Sequence, residues 1–92
     1  MATVRIPPVL RAAVGGEREV QADGASVGEV LRSLTDAHPS TASQIFGEGG
    51  DLNRYVNVYL NDEDVRVLDG LETAVTERDS LVILPAMAGG AA

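Results

Sequence analysis

The residues of this chain best suited to chemistry stand near its C-terminal end, where Gly89-Gly90 close a run of small, uncharged residues. Glycine lets a backbone approach another protein closely and adopt unusual φ and ψ angles. Such a segment can bury little against its own domain, so we expect it to project into solvent. A partner enzyme could then thread it through a narrow channel to a backbone carboxylate. Small residues at a chain end also occur without function.

Cysteine is absent, which excludes disulfides, thiolate metal sites and cysteine nucleophiles. If the chain handles sulfur, the sulfur must be carried on another group. The acidic run Asp62, Glu63 and Asp64 predicts a solvated hairpin tip and no metal site, because consecutive carboxylates at a turn point in different directions. His38, the one histidine, is predicted to be structural or surface-exposed near a helix end.

Composition describes a single small acidic domain. The chain has 92 residues, 45% of them hydrophobic, and a formal net charge of −7. This charge repels phosphate backbones, which disfavours nucleic-acid binding and suits partners with basic docking surfaces; an acidic surface that only keeps the protein in solution is the alternative. Without a membrane-spanning run or a secretory signal pattern, we expect a cytoplasmic location.

The first half of the chain predicts a hairpin followed by a helix. Strands are expected over 3–6 and 17–21, with Pro7-Pro8 at an edge position or an irregular strand end and a loose loop between the strands. Ser26 and Glu29 form a capping-box pattern, and the apolar spacing that follows predicts a helix over 27–37.

The second half predicts short strands. Residues 40–51 are predicted to form a connection with room for one short helical turn over 42–46. A central strand is expected over 55–60, a turn at 61–62 and a partner strand over 65–67. A single helical turn over 70–75 should pack Leu71 and Val75 inward, and the turn 77–79 leads into an apolar strand over 80–84. That last strand is expected to lie buried in mid-sheet.

This element order predicts an α+β domain with the ubiquitin-like β-grasp fold, a mixed sheet of four to five strands with one main helix. The first and last strands should pair in parallel at its centre. The domain is expected over 1–85 and a flexible tail carrying Gly89-Gly90 over 86–92. Tyr55 and Tyr59, four residues apart, should share one sheet face, which either docks a partner or covers the edge of the core.

Four stretches of the sequence, 4–11, 54–66, 70–75 and 79–90, resemble the MoaD/ThiS superfamily of sulfur-carrier proteins, and within it most closely the CysO branch. The likeness covers nearly the whole chain. The run 57–66 is specific to this superfamily. The terminal glycine pair is specific only when it occurs together with the other matching stretches.

The resemblance implies a cycle in which this chain is a protein cosubstrate and not an enzyme. A MoeZ/MoeB-like adenylyltransferase would activate the Gly90 carboxylate with ATP and exchange AMP for sulfur, giving a thiocarboxylate. A PLP-dependent cysteine synthase, or another sulfur-accepting enzyme, would then receive the sulfur. No cofactor would belong to the chain itself.

One departure from the family pattern is the pair Ala91-Ala92 after the glycines. We expect a JAMM-type metallopeptidase to cut between Gly90 and Ala91 and so release the reactive carboxylate. Two alternatives remain open from the sequence: a ubiquitin-like modifier or interaction module without sulfur chemistry, and the small subunit of molybdopterin synthase.

Overall fold

The computed structural model describes residues 1–53 and 55–85 as one sheet with helices packed against it. The predicted tail over 86–92, including Gly89-Gly90, lies outside the described residues. The strands are β1 (Ala2–Arg5), β2 (Glu19–Ala22), β3 (Val56–Leu60), β4 (Glu63–Asp64) and β5 (Ser80–Pro85), and the α-helices are α1 (Pro8–Arg11), α2 (Val27–Ala37) and α3 (Ala42–Ile45).

The sheet has five strands in the order β2-β1-β5-β3-β4. Strands β1 and β5 pair in parallel, with Val4 opposite Leu81, while the other neighbours are antiparallel. The first and last strands therefore meet at the centre, as predicted. The β-grasp fold inferred from element order is confirmed.

Helix α2 covers one face of this sheet, and its predicted bounds are confirmed. Ser26 Oγ accepts a hydrogen bond from the backbone N–H of Glu29 at 3.2 Å. The Glu29 carboxylate accepts from the N–H of Ala25 at 2.9 Å, one residue before the position that a reciprocal capping box uses. Both interactions fix the start of the helix.

The core lies between α2 and one face of the sheet. Leu31 of α2 and Val4, Val58 and Leu81 of the three central strands are fully buried. Burying one such side chain stabilises the fold by about 1.5–3 kcal/mol. The prediction that the whole run 80–84 is buried is wrong for the sheet face that does not pack against α2. Leu84 on that face is 43% exposed, because the single long helix covers only one side of the sheet.

The partner strand predicted over 65–67 is also wrong, since β4 ends at Asp64. Val65 makes one more ladder bond, from its N–H to the carbonyl of Val58 at 2.9 Å. Asp64 Oδ1 then accepts from the N–H of Arg66 at 2.9 Å, which turns the chain away from β3. Val67 is consequently 79% exposed.

The helical turn predicted over 70–75 is shorter than expected and spans Gly70–Glu72. Leu71 is half-buried, and Val75 is buried beyond the turn. The Val75 N–H donates to the carbonyl of Ala25 at 2.9 Å. This segment therefore ties the start of α2 to the rest of the domain.

The connection between β1 and β2 holds a short helix where a loose loop was predicted. Pro8 occupies the first turn of α1, where its missing N–H costs nothing. Leu10 is buried, which anchors the connection to the core. The prolines thus stand at a strand end, and the edge position is wrong because β1 lies inside the sheet. No helix in the described part of the chain is long and apolar enough to cross a membrane.

Candidate functional site

The predicted tail would begin where β5 ends, and we call this end of the domain the tail end. Pro85, the last residue of β5, pairs with Val56 at the start of β3. Because β1 runs parallel to β5, its last residue, Arg5, points to the same end of the sheet. The tail end is therefore formed by the end of β1, the start of β3 and the end of β5.

The predicted reactive residues follow directly from this point in the sequence. Gly89, Gly90 and the predicted cleavage site between Gly90 and Ala91 lie outside the described residues. Residues 86–90 span at most about 17 Å when fully extended, at roughly 3.4 Å per residue. An enzyme that acts on the Gly90 carboxyl must consequently contact the domain near the tail end.

The sheet face opposite α2, here called the open face, has apolar side chains at its centre. Val82 is half-buried and Leu84 is 43% exposed, both on β5. Polar and charged side chains surround them on the neighbouring strands. The register places one row across the open face, from β2 to β4: Glu19, Arg5, Val82, Tyr59 and Asp64.

Hydrogen bonds and one ion pair hold the rim of the open face. Arg5 Nε lies 3.3 Å from a carboxylate oxygen of Glu19. The Arg66 guanidinium donates to Asn57 Oδ1 and to the carbonyl oxygen of Asn53, both at 2.9 Å. These contacts hold polar side chains around the apolar centre of the open face. An apolar centre with a polar rim is typical of protein-docking surfaces.

The two tyrosines differ in their surroundings. Tyr59 lies on the open face and is half-buried within β3. Tyr55 precedes the strand, is 52% exposed, and its N–H donates to Asn53 Oδ1 at 2.9 Å. Because Tyr55 lies in a turn, the strand period that predicted a shared face does not extend to it.

A second surface feature at the tail end is a groove of about 270 Å³ on the helix side of the sheet. Val9 of α1 and Tyr55 line its rim, and both are exposed. Val56 and Ile83 form part of its buried wall. The groove is large enough to accept one or two apolar side chains of a partner.

The opposite end of the sheet is held by a network centred on Asp79. The Thr76 N–H donates to Asp79 Oδ2 and the Asn61 amide to Asp79 Oδ1, both at 2.8 Å. These hydrogen bonds, that of Thr76 first, hold the pKa of Asp79 below its ordinary value. The network joins the β3–β4 turn to the start of β5, and the sequence analysis did not predict it.

The other polar residues singled out from the sequence are not brought together into a site. Asn61 and Asp62 have φ values of 49° and 75°, which form the tight turn between β3 and β4. Among residues 1–53 and 55–85, no group of acidic or histidine side chains is arranged to hold a metal ion. His38 is the half-buried C-cap of α2, and its carbonyl oxygen accepts from the hydroxyl of Thr41 at 2.7 Å.

The sequence profile of the ThiS family matches residues 4–90. The chain belongs to the ThiS family. It is 43% identical over 90 residues to the sulfur carrier protein CysO of Mycobacterium tuberculosis, a match that covers 96% of this chain and 97% of that protein. The resemblance to sulfur carriers is confirmed, and proteins of this type are small carriers and not enzymes.

Solved structures agree with this assignment of the ThiS-family chain. CysO in the Amycolatopsis orientalis BexX/CysO complex is 44% identical with a TM-score of 0.88, covering 94% of this chain and 96% of that one. The small archaeal modifier protein 1 of Methanosarcina acetivorans is 35% identical with a TM-score of 0.86, covering 97% and 95%. Both carry the same ubiquitin-like β-grasp fold.

The apolar centre of the open face of this ThiS-family chain was not predicted from the sequence. The signal that could have found it was the presence of only one long predicted helix. One helix covers one face of a five-stranded sheet, so alternate residues of the run 80–84 had to remain on the uncovered side. Val82 and Leu84 are those residues.

Proposed function

We propose that this chain is a sulfur carrier whose Gly90 carboxylate, released by removal of Ala91-Ala92, becomes a thiocarboxylate. The observation that carries the proposal is the match to the ThiS family, which extends to residue 90 and so ends on the glycine pair. The described domain supports it, because β5 ends at Pro85, five residues before Gly90.

The reaction requires two steps at the Gly90 carboxyl. A carboxylate oxygen attacks the α-phosphorus of ATP, so that an acyl-adenylate forms and pyrophosphate leaves. A sulfide-level nucleophile then attacks the carbonyl carbon, and AMP leaves with the bonding electron pair. The products are a thiocarboxylate, AMP and a proton. The chain contributes only the carboxyl group and an unobstructed path to it, and the partner contributes the catalytic groups.

A MoeZ/MoeB-like adenylyltransferase would perform this activation in the cytoplasm, where ATP is available. We infer that it docks on the open face, because exposed Leu84 lies only one residue before the end of β5. Aromatic and apolar side chains at the centre of a polar rim are typical interface anchors. Docking there would leave residues 86–90 to extend into the enzyme.

A second enzyme would then take the sulfur, either a PLP-dependent cysteine synthase or another sulfur-accepting protein. The similarity to CysO supports the first choice. The Amycolatopsis orientalis structure, in which CysO is in a complex with BexX, supports the general idea that a carrier of this type docks on a partner protein.

Removal of Ala91-Ala92 is the step that would make the chain competent. A JAMM-type metallopeptidase is our candidate, and intact-mass measurement of the protein isolated from its native host tests the step. We expect the active form to end at Gly90. An active form that keeps both alanines would refute the processing step.

One alternative function has a specific observation in its favour. The chain is also 40% identical over 68 residues to the small archaeal modifier protein 3 of Haloferax volcanii, covering 74% of this chain and 73% of that protein. A modifier would form amide bonds to side-chain amines of other proteins. It could not form chains of itself through lysine, because it has none.

The deciding experiment incubates a version ending at Gly90 with a cognate adenylyltransferase, ATP and a sulfur donor. We expect a mass gain equal to the exchange of one oxygen for sulfur, dependent on ATP. The matched control is the same protein ending at Ala92, which should remain unchanged. Amide conjugates of higher mass without sulfur exchange would instead support the modifier function.

A further inference from the structure

A pocket of about 280 Å³ at the tail end is lined by three arginines and one glutamate. Three guanidinium groups and one carboxylate give it a local charge of +2, in a chain whose formal net charge is −7. A positively charged pocket concentrates the electrostatic field inside it and therefore attracts an anionic group of a ligand or partner. The lining residues are Arg5, Ile6, Arg11, Arg18 and Glu19.

The pocket is built on fixed backbone. The Ile6 N–H donates to the carbonyl oxygen of Arg18 at 2.8 Å, which joins the end of β1 to the residues just before β2. Arg11 Nε donates to the carbonyl oxygen of Ile6 at 3.2 Å, and this half-buried side chain is thereby held across the pocket. The three arginines, one on β1, one on α1 and one just before β2, are therefore held around the end of β1.

The positive charge of the pocket is only partly neutralised. Glu19 pairs with Arg5, which is the single ion pair within residues 1–53 and 55–85. In the same part of the chain, Arg18 has no hydrogen bond or ion pair through its guanidinium, and Arg11 has none beyond the bond to Ile6. The pocket thus has donors for another anionic group.

The pocket lies close to the start of the tail. Arg5 is opposite Val82, and β5 continues for three more residues to Pro85. At about 3.3 Å per residue, this places the end of the strand roughly 10 Å away. A standard interface buries about 800 Å² on each partner, a patch roughly 16 Å in radius. An enzyme whose contact patch is centred on the end of β5 would therefore cover the pocket.

We propose that this pocket binds a carboxylate side chain of the activating enzyme, an Asp or Glu beside the channel that receives the tail. The inference rests on the proposed function and adds a partner contact to it. Arginine binds carboxylates well because its planar fork matches their geometry. Glu19 already pairs with Arg5 in this pocket, through one contact of 3.3 Å between Nε and a carboxylate oxygen.

The nucleotide phosphates of the enzyme are a poorer match to the pocket. Phosphoryl chemistry must take place at the Gly90 carboxyl, and an extended 86–90 segment puts that carboxyl about 17 Å beyond the end of β5. The ATP site would then be at the far end of the tail, whereas the pocket is near its start. An acidic side chain at the mouth of the channel would lie beside the pocket, while the ATP site would lie at the far end of the channel.

The test compares two charge reversals that change net charge equally, both made in the version of the carrier that ends at Gly90. Arg18→Glu alters the pocket, and Arg32→Glu alters an exposed position of α2 outside the pocket. Pyrophosphate release by the adenylyltransferase gives KM for the carrier and kcat. We expect Arg18→Glu to raise KM about tenfold relative to Arg32→Glu, with kcat at saturation unchanged and a weaker salt dependence of KM.

Three outcomes separate this inference from the function on which it rests. If the wild type is activated and the two variants have equal KM values, the pocket contact is wrong and the carrier function stands. If the carrier that ends at Gly90 and has no other change forms no adenylate, the proposed function and this inference both fail. If inorganic phosphate alone at about 1 mM shifts the NMR signals of Arg11 Nε–H and saturates, the pocket is a small-anion site and the carboxylate proposal is overturned.

The variant Arg11→Gln provides a second test, in which KM is measured without reversing a charge. It should raise KM by a smaller factor than Arg18→Glu, because it removes one charge and can keep a hydrogen bond to Ile6. Circular dichroism and thermal unfolding of each variant verify that the fold is retained. A folded Arg11→Gln protein with a wild-type KM would contradict the proposal.

Discussion

Pro85 at the end of β5 lies opposite Val56 at the start of β3. This pairing fixes the point at which the chain leaves the sheet, and parallel β1 ends on the same side of the domain. Consequently the open face, the apolar groove and the arginine-lined pocket all lie near the start of residues 86–92. Under the proposed function, the domain would therefore present the glycine pair and contact the activating enzyme at the same end.

Gly24 is predicted to be essential for packing the start of α2. A Cβ atom at this position would lie 2.5 Å from the backbone nitrogen of Val30 and 2.8 Å from the carbonyl carbon of Glu29. Backbone atoms inside a helix cannot move aside easily. We expect Gly24→Ala to lower the free energy of unfolding by about 1–3 kcal/mol, measured by urea denaturation.

Gly47→Ala is the matched control for that substitution. Its added Cβ would meet nothing closer than 3.6 Å, and φ at Gly47 is −92°. Its free energy of unfolding should change by less than about 1 kcal/mol, and the sign can be favourable because alanine restricts the unfolded chain. Equal losses in the two variants would show that close packing at Gly24 is not the cause.

Ser26 is expected to stabilise α2 through its hydroxyl. Ser26→Ala removes the acceptor for the Glu29 N–H and should lower the free energy of unfolding by about 1 kcal/mol. Ser40→Ala, at an exposed position after the helix, is the control and should unfold like the wild type. A Ser26→Ala protein as stable as Ser40→Ala would mean that the cap contributes nothing.

The hydrogen bonds to the Asp79 carboxylate predict that the free energy of unfolding depends on pH. The pKa of Asp79 in the folded protein is lowered from 3.8 by hydrogen bonds from Thr76 and Asn61. The stabilisation from the ionised carboxylate is therefore present above pH 3.8 and is lost as the pH falls through the folded pKa. Asp79→Asn should be less stable than the wild type at about pH 7, and the difference should narrow at about pH 3.

Urea unfolding at the two pH values measures that difference. Asp36→Asn, on the exposed side of α2, is the control and should follow the wild type at both. A destabilisation by Asp79→Asn that is the same at both pH values would contradict the electrostatic explanation and would instead indicate the loss of one hydrogen-bond acceptor.

Leu84 is predicted to act in partner docking and not in folding. It is 43% exposed on the open face, so Leu84→Ala should leave the thermal unfolding temperature nearly unchanged. In the adenylation assay we expect KM for the carrier to rise about tenfold, the usual effect of removing an interface anchor. Val67→Ala, at an exposed residue in the loop after β4, should have no effect on KM. A wild-type KM for Leu84→Ala would exclude this face as the docking surface.

Most of the fold could be predicted because its signals are local. The capping residues Ser26 and Glu29 and the apolar spacing after them determine α2, and the Asn61-Asp62 pair determines a tight turn. The end of β4 could not be predicted, because Val65 to Val67 alternates like a strand. The decisive interaction is a hydrogen bond from the Arg66 backbone to the Asp64 side chain.

The candidate site was predictable only in part, because its residues come together through strand pairing. Arg5 and Arg18 are thirteen positions apart in the sequence, and they line one pocket because β1 and β2 pair side by side. The Asn61–Asp79 contact likewise joins residues that only the sheet brings together. The glycine pair, by contrast, is visible in the sequence without any structure.

The most direct test of the sulfur-carrier proposal is thiol-specific alkylation of the product of the adenylyltransferase reaction. Mass alone is ambiguous, because the chain has two methionines and oxidation of either one gives nominally the same mass gain as exchange of oxygen for sulfur. The chain has no cysteine, so an alkylating reagent such as iodoacetamide finds no thiol in the unreacted protein. We predict one ATP-dependent adduct, located on Gly90 by fragmentation of the version ending there. A product that gains mass but takes up no alkyl group, or carries it at any other residue, would contradict the proposal.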